Sequence, residues 1–290
     1  MIVISGLILL KGKTGAARQP RNRSAASHPK HGNSRRGVLD SLRGGEMILL
    51  QLLLLGTSWV CADPIAKSSE EQVPLLELFS SEACSSCPPA DLWLGKQAKH
   101  PKLWQSFVPI AFQVDYWNHL KWRDGLSSPE ATERQKAYAR AWGDDGTVYT
   151  PAFVYKGAEW RAWSDVTAPP VKTGPPIGRL TIENTKASGY RVVFKPKNGG
   201  TEDLTLHIAL LGFGVRQSIG SGENTGRVLN HDFVVMDWKN KFVMRPVNDY
   251  FAAEFSALSA KMNPARQALV AWVQQGSAPK PLQATGAFLK

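Results

Sequence analysis

The sequence predicts an α/β domain followed by a small, mainly antiparallel, sandwich-like β domain. Between residues 70 and 166, apolar runs alternate with helical patterns, which is typical of a sheet crossed by helices. A Pro-rich segment at 167–177 has the composition of a linker. Short strand-like runs separated by turn residues then fill 178–290, as expected for an antiparallel sandwich.

The positive charge of the chain is concentrated at its N-terminus. The chain has 290 residues and a net charge of +11. Residues 1–62 hold nine basic and two acidic residues, a net of +7, which leaves +4 for the remainder. We expect residues 1–46 to be a disordered basic extension, either a cytoplasmic tail or the product of an over-extended gene start. The basic charge therefore does not indicate a nucleic-acid partner.

A short apolar run follows this extension. Residues 47–55 are strongly apolar, but the run is too short for a comfortable transmembrane helix. Together with the small residue Ala62 at its end, it predicts a signal peptide over 47–62. We expect cleavage there, a periplasmic or secreted protein, and no stable membrane span after cleavage. Lipidation at Cys61 is the alternative, although bulky residues precede that cysteine where small ones are expected.

The first predicted strand leads into a pair of cysteines. Residues 73–79 are a continuous apolar run with one acid, which predicts a buried strand. Cys84 and Cys87 form a CxxC motif directly after it, and helical spacing begins at about Pro89. The CxxC motif therefore lies at a strand-to-helix junction, the placement typical of a thioredoxin-like redox centre.

A second strand and a second helix follow. Residues 108–117 are apolar enough to form a central strand. Ser128 is a predicted helix N-cap, with Pro129 in the first helical position. Gly143 is the predicted end of this helix.

A Thr-Pro step belongs to the third strand. Thr150 and Pro151 lie within an apolar run at 148–155. Thioredoxin-like folds place a cis-proline at this point, facing the CxxC motif, and this context predicts a cis bond that local sequence alone does not. The order of strand, CxxC, helix, strand, helix and Thr-Pro strand predicts a thioredoxin-like domain over 70–166.

The chemistry of this motif predicts thiol–disulfide exchange. Cys84 would lie near a helix N-terminus, where backbone N–H groups stabilise a thiolate, so it is the candidate nucleophile. Cys87 would resolve the mixed disulfide. Pro151 would present the substrate chain beside Cys84, and the backbone of Thr150 would pair with it. Glu77, on the preceding strand, is a candidate proton relay for Cys87.

Aromatic residues after the second strand are candidates for substrate binding. Asp115, Tyr116, Trp117 and Trp122 follow this strand, and we expect them near the same sheet edge as the CxxC motif. They would form a groove for an extended peptide. A packed corner between the two domains is the alternative.

Three functions are consistent with these residues. The first is an exported thiol–disulfide oxidoreductase acting on protein thiols or disulfides with an unknown redox partner. The second is a non-catalytic envelope binding module whose CxxC forms a structural disulfide. The third is a Cu(I) carrier using the cysteines and a histidine such as His119. A single CxxC without a second ligand pair does not predict a resident zinc site, and no cofactor is expected.

Several short motifs resemble those of the domain-of-unknown-function family 1223, a family of secreted thioredoxin-like proteins that are mostly bacterial. The resemblance covers roughly residues 73–275 and implies a thioredoxin-like domain followed by a β-rich one, without supplying a substrate. One departure is Met236-Asp237, where the family has a basic residue. The matching segments are 77–80, 84–91, 114–117, 132–135, 149–151 and 222–227, with His231 and Val234-Val235.

Overall fold

The computed structural model describes residues 63–171, 174–199, 203–244 and 246–290. The predicted basic extension and signal peptide lie outside these residues. The two α-helices are α1 (Pro88–Lys96) and α2 (Pro129–Ala141). The strands are β1 (Ala66–Lys67), β2 (Leu75–Ser80), β3 (Val108–Gln113), β4 (Ala152–Tyr155), β5 (Ala158–Glu159), β6 (Gly178–Asn184), β7 (Tyr190–Pro196), β8 (Leu204–Phe213), β9 (Val215–Ser218), β10 (Val228–His231), β11 (Val234–Val243), β12 (Phe251–Phe255), β13 (Arg266–Gln275) and β14 (Pro281–Phe288).

Eight strands form one mixed sheet in the order β14-β13-β8-β11-β3-β2-β4-β5. Strand β3 pairs in parallel with β2 on one side and with β11 on the other. The remaining neighbours are antiparallel. Parallel neighbours need a crossover connection, and the β2–β3 crossover contains α1. The CxxC motif therefore lies where β2 leaves the sheet.

A second sheet, in the order β1-β6-β7-β12, packs against part of the first. Strand β6 alternates buried and half-buried residues, as expected where one face meets a core. Every residue of β8 is buried, because both faces of this central strand are covered. One apolar core lies between the two sheets, and the other lies between the large sheet and the two helices.

Both helices begin as predicted. The N-cap of α2 is Ser128, whose Oγ accepts a hydrogen bond from Ala131 N at 3.2 Å. Pro129 occupies the first turn, and the chain turns away at Gly143, which has a φ of +91°. The N-cap of α1 is Cys87, followed directly by Pro88. No helix in the described ranges has the length and apolarity that a membrane crossing requires.

The predicted fold class is wrong. The described residues form fourteen strands and two α-helices. Twelve of these strands belong to an eight-stranded mixed sheet and a four-stranded antiparallel sheet, and not to an α/β thioredoxin-like domain with a separate β domain. Strand β11, from the expected second domain, pairs with β3 of the expected first domain at Val234 and Ala111. Described strands from both sides of this segment, 167–177, therefore share one sheet, and the described residues from Asp63 onward belong to one compact unit.

Candidate active site

The CxxC motif forms a turn that joins β2 to α1. Cys84 N donates to Ser81 O at 3.2 Å, and Cys87 N donates to Cys84 O at 3.3 Å. Cys87 O then accepts from Ala90 N at 2.9 Å as α1 begins. The strand-to-helix placement predicted for both cysteines is thus confirmed, and it puts them at the positive end of the helix dipole.

The sulfur of Cys84 lies among polar atoms. Its Sγ is 3.1 Å from Ser86 Oγ and 3.8 Å from Thr150 O. Both thiols are free, and the exposed fraction is 2% for Cys84 and 0% for Cys87. The bond between Thr150 and Pro151 is cis. The structure therefore brings Thr150 and Pro151 to the cysteine pair as predicted.

The two cysteines titrate in opposite directions. Hydrogen bonds lower the pKa of Cys84 to about 5, chiefly the one from the Cys87 thiol and then those from Ser86 and Thr150, against the opposing effect of burial. Burial raises the pKa of Cys87 well above its usual range, and the neighbouring Cys84 raises it further. Cys84 is therefore a thiolate at neutral pH while Cys87 keeps its proton, which suits a nucleophile and a resolving thiol.

Two of the predicted aromatic residues adjoin Thr150. Trp117 Nε1 donates to Thr150 Oγ1 at 2.8 Å. Tyr116 OH donates to Gln135 Oε1 at 3.3 Å, and the amide nitrogen of the same glutamine donates to Tyr149 O at 2.7 Å. Both aromatic side chains are half-buried. These contacts hold the segment that leads into β4, which includes Thr150. Both aromatic side chains also form part of the surface beside Thr150.

The other two residues predicted for substrate binding have structural contacts. Asp115 Oδ1 accepts from Thr132 Oγ1 at 2.5 Å, which ties the loop after β3 to α2. Trp122 Nε1 donates to Glu82 Oε2 at 2.7 Å, beneath the CxxC motif. Both contacts tie the loop after β3 to neighbouring elements.

Glu77 does not occupy the predicted position beneath Cys87. Its carboxylate forms a buried ion pair with Arg134 of α2, at 2.5 Å between Oε2 and Nε, and also accepts from Tyr138 OH. Arg134 reaches further to Gln274 Oε1 at 3.2 Å. Glu77 thus belongs to the core between the sheet and α2, and the predicted proton relay through this residue is wrong.

A buried polar cluster that the sequence analysis missed lies behind the motif. Asp91, one helical turn after Cys87, accepts from Ser80 Oγ at 2.8 Å. Glu82 Oε1 lies 3.2 Å from His231 Nε2 of β10, and Asp124 Oδ2 accepts from Glu82 N at 3.5 Å. The four ionisable side chains, Glu82, Asp91, Asp124 and His231, are all buried.

Burial raises the pKa of two carboxyl groups in this cluster. Burial raises the pKa of Asp91 to about 6 and that of Asp124 to about 7. The pKa of His231 is raised, because its hydrogen bond to Glu82 and the nearby carboxylates outweigh the effect of burial. Only one feature of the sequence indicates that Asp91 lies on the same side of α1 as Cys87: the two are four residues apart, and residues four apart share a helix face.

The loop between β9 and β10 clamps the motif from outside. Asn224 Nδ2 donates to Glu82 O at 2.9 Å and to Cys84 O at 2.8 Å. The Glu223 carboxylate accepts from both the backbone N–H and the hydroxyl of Ser85, each at 2.8 Å. The family resemblance of 222–227 was the only signal for this loop, since its glycine pattern fits no phosphate-binding motif.

The family model for "Protein of unknown function (DUF1223)" matches residues 75–274. The chain belongs to the DUF1223 family. All of the site residues described above, from Glu77 to Gln274, lie within the match.

Two solved structures are similar to this DUF1223 protein. One is an X-ray crystal structure of a protein from Agrobacterium tumefaciens, with 23% identity over 76% of this chain and 96% of that chain and a TM-score of 0.49. The other is HBP35 of Porphyromonas gingivalis, with 15% identity over 77% of this chain and 76% of that chain and a TM-score of 0.49. No curated protein matches the chain.

His119, the candidate third copper ligand, contacts Tyr116 and Trp117. Its Nδ1 lies 2.8 Å from Tyr116 O, and its ring stacks on Trp117 with centroids 6.4 Å apart. Across the described ranges of this DUF1223 protein, no three His, Cys, Asp or Glu side chains are grouped so that they could hold a metal ion.

Proposed function

We propose that the chain is an exported thiol–disulfide oxidoreductase that acts on protein thiols through Cys84 and Cys87. One observation carries this proposal: two free thiols adjoin each other at the start of α1, one with a pKa lowered to about 5 and the other with its pKa raised. A low-pKa thiol beside a protonated one is the arrangement that exchange chemistry needs.

The exchange proceeds in two displacements. The Cys84 thiolate attacks one sulfur of a disulfide, that disulfide breaks, and its other sulfur leaves as a thiolate that takes up a proton. Cys87 then loses its proton and attacks Cys84 Sγ, which forms the internal disulfide and releases the second substrate sulfur. Two electrons pass from the Cys84–Cys87 pair to the substrate, and the reverse sequence oxidises a substrate dithiol.

A stabilised thiolate at Cys84 favours oxidation of the substrate by the disulfide form of the protein. Hydrogen bonds that stabilise this thiolate stabilise the reduced protein relative to its disulfide, and a stabilised reduced form makes the disulfide a stronger oxidant. We therefore propose that the disulfide form accepts electrons from substrate dithiols. Export through the predicted signal peptide at 47–62 would place it in a compartment where disulfides persist.

Substrate docks beside Thr150 in this proposal. The Thr150 carbonyl lies 3.8 Å from Cys84 Sγ, and Trp117 braces the side chain of the same threonine. Because only 2% of Cys84 is exposed, attack requires the covering residues to move. The exposed side chain of Ser86, 3.1 Å from the sulfur, is one such residue, and the clamping loop is the other.

The test is oxidation of a reduced, unfolded secreted protein by the disulfide form of the chain. Cys61→Ser is present throughout, so that Cys84 and Cys87 are the only cysteines. We expect stoichiometric thiol consumption, which Cys84→Ser abolishes. Ser85→Ala, which alters the motif without removing a sulfur, is the matched control and should retain the reaction. Equal thiol consumption with and without Cys84 would contradict the proposal.

The burial of Cys84 favours one second candidate, a binding protein in which the cysteine pair forms a structural disulfide. A buried pair is shielded from external thiols. In that case the disulfide would resist the substrate dithiol under all buffer conditions, and binding to a partner would survive replacement of both cysteines.

A further inference from the structure

A buried carboxylate follows the resolving cysteine by one helical turn, close enough that, besides burial and Cys84, Asp91 contributes to the raised pKa of Cys87. Asp91 N donates to Cys87 O at 3.1 Å in the first turn of α1. Residues four apart on a helix share a face, so the Asp91 side chain is on the same side of α1 as Cys87. This side chain is buried, and its Oδ2 accepts the hydroxyl proton of Ser80 at 2.8 Å.

The same carboxylate borders a solvent-open cavity of about 540 Å³ behind α1. The cavity walls come from α1, β8, β10, β13 and β14 and from the turn that carries Asp232. Its lining includes Asp91 but neither cysteine. Asp91 thus lies between the cysteine pair and this cavity. Thr150, where the substrate would dock, does not line the cavity.

Charged groups from every neighbouring element face Asp91. These are Glu82 and Cys84 before the helix and His231 of β10. Lys96 of α1, Lys99 just after it, Asp232, and Arg266 of β13 line the cavity. Burial raises the pKa of Asp91 to about 6, while His231 and Ser80 oppose this shift. The carboxylate is therefore ionised at pH 7 and is protonated by a modest change in pH.

Glu82, a second buried carboxylate, has one oxygen hydrogen-bonded and the other beside His231. Trp122 Nε1 donates to its Oε2 at 2.7 Å, and His231 Nε2 lies 3.2 Å from its Oε1. It is fully buried and does not line the cavity. A proton given to Glu82 would have no comparable path to solvent.

We propose that Asp91 accepts the proton of Cys87 during the resolving step and releases it into the cavity behind α1. This inference rests on the proposed function. As the S–H bond of Cys87 breaks, its proton passes to Asp91, its sulfur bonds to Cys84 Sγ, and the substrate sulfur leaves with the electron pair of the broken disulfide. The proton leaves through the cavity while the substrate still covers the other face.

The experiment follows both displacements with a chromogenic aromatic disulfide, in the full chain carrying Cys61→Ser. Attack by Cys84 releases one aromatic thiol, and attack by Cys87 on the mixed disulfide releases the second, so stopped-flow absorbance resolves two phases. Loss of a general base costs about 100-fold or more. We expect Asp91→Asn to slow the second phase by about that factor at pH 7 and to leave the first within twofold.

The pH profile separates proton transfer from a structural role. In the Cys61→Ser chain with Asp91 intact, the rate constant of the second phase should increase as pH rises through about 6, because only the ionised carboxylate accepts a proton. Asp91→Asn should lose this acceleration, and Asp91→Glu should restore part of it. Asp237→Asn, a carboxylate that accepts from Ser259 N at 3.0 Å on another part of the fold, is the matched control.

The possible failures are distinguishable. An unchanged second phase in Asp91→Asn, or a second phase that is flat between pH 5 and 7 in the chain with Asp91 intact, overturns the role of Asp91 while exchange itself stands. If the variant does not fold, the profile of the chain with Asp91 intact still decides the question. Absence of the first phase at pH 7 overturns the proposed function, and the role of Asp91 with it.

Discussion

At the scale of single residues, the hydrogen bonds of one sulfur distinguish the two cysteines. Cys84 receives hydrogen bonds from Cys87, Ser86 and Thr150, which lower its pKa to about 5. Cys87 is more deeply buried, and burial raises its pKa. The difference depends on contacts that the fold creates, since Thr150 is 66 residues from Cys84 in the sequence.

Alkylation of Cys84 by iodoacetamide should report this thiolate directly. Because the thiolate is the reactive form, the rate should be constant above about pH 6 and fall as pH drops through about 5. Cys87→Ala removes the largest stabilising hydrogen bond, so the midpoint should rise by about one to two pH units. A midpoint near pH 8.5, the value of an unperturbed thiol, would contradict the description of Cys84.

Glu77 shows why residue spacing alone did not identify the carboxylate next to Cys87. Side chains alternate between the faces of a strand, so Glu77 and Ser80, three residues apart, face opposite sides of β2. Ser80 meets Asp91 of α1, whereas Glu77 meets Arg134 of α2. The sequence indicates that Glu77 lies on a buried strand, but which face each residue occupies depends on the side where each helix packs.

At the scale of elements, the loop between β9 and β10 holds the motif in place. Asn224 is fully buried and donates to two backbone carbonyls, those of Glu82 and Cys84. Glu223 accepts from Ser85 at the exposed side of the motif. The elements themselves were largely predictable, including the N-cap of α2 at Ser128. This contact was not, because it joins residues 140 apart.

Removing the clamp should expose Cys84. Asn224→Ala leaves the Glu82 carbonyl without its side-chain partner, at a cost of about 1–3 kcal/mol for one unsatisfied buried group, and removes one of the two hydrogen bonds to the Cys84 carbonyl. The loop should then open more often, and alkylation of Cys84 at pH 7 should accelerate severalfold. Val228→Ala, at an exposed site on β10, is the control and should change neither stability nor rate by much. An unchanged alkylation rate in Asn224→Ala would show that the loop does not cover the sulfur.

At the scale of the whole molecule, one sheet joins segments that the sequence assigns to separate domains. Apolar periodicity identifies strands within a few residues, as for β2, predicted at 73–79 and found at Leu75–Ser80. Periodicity reports burial and not the partner of a strand. The pairing of β3 with β11 joins Ala111 to Val234, and no local pattern encodes it.

The continuous sheet should make residues 63–290 unfold as one unit. Calorimetry of the chain should show one endotherm with matching calorimetric and van't Hoff enthalpies. The reason is that β11 and β3 share hydrogen bonds, including Ala111 N to Phe233 O at 2.9 Å, so neither half keeps an intact sheet alone. Two resolved transitions would contradict this and favour the two-domain organisation that composition suggests.

The reduction potential of the Cys84–Cys87 pair distinguishes an exchange catalyst from a structural disulfide. We would equilibrate the Cys61→Ser chain with glutathione buffers and measure the fraction of disulfide. Because the Cys84 thiolate stabilises the reduced form, we expect a value nearer to about −120 mV than to about −270 mV, the range of known exchange catalysts. A value below about −300 mV, typical of structural disulfides, would contradict this expectation.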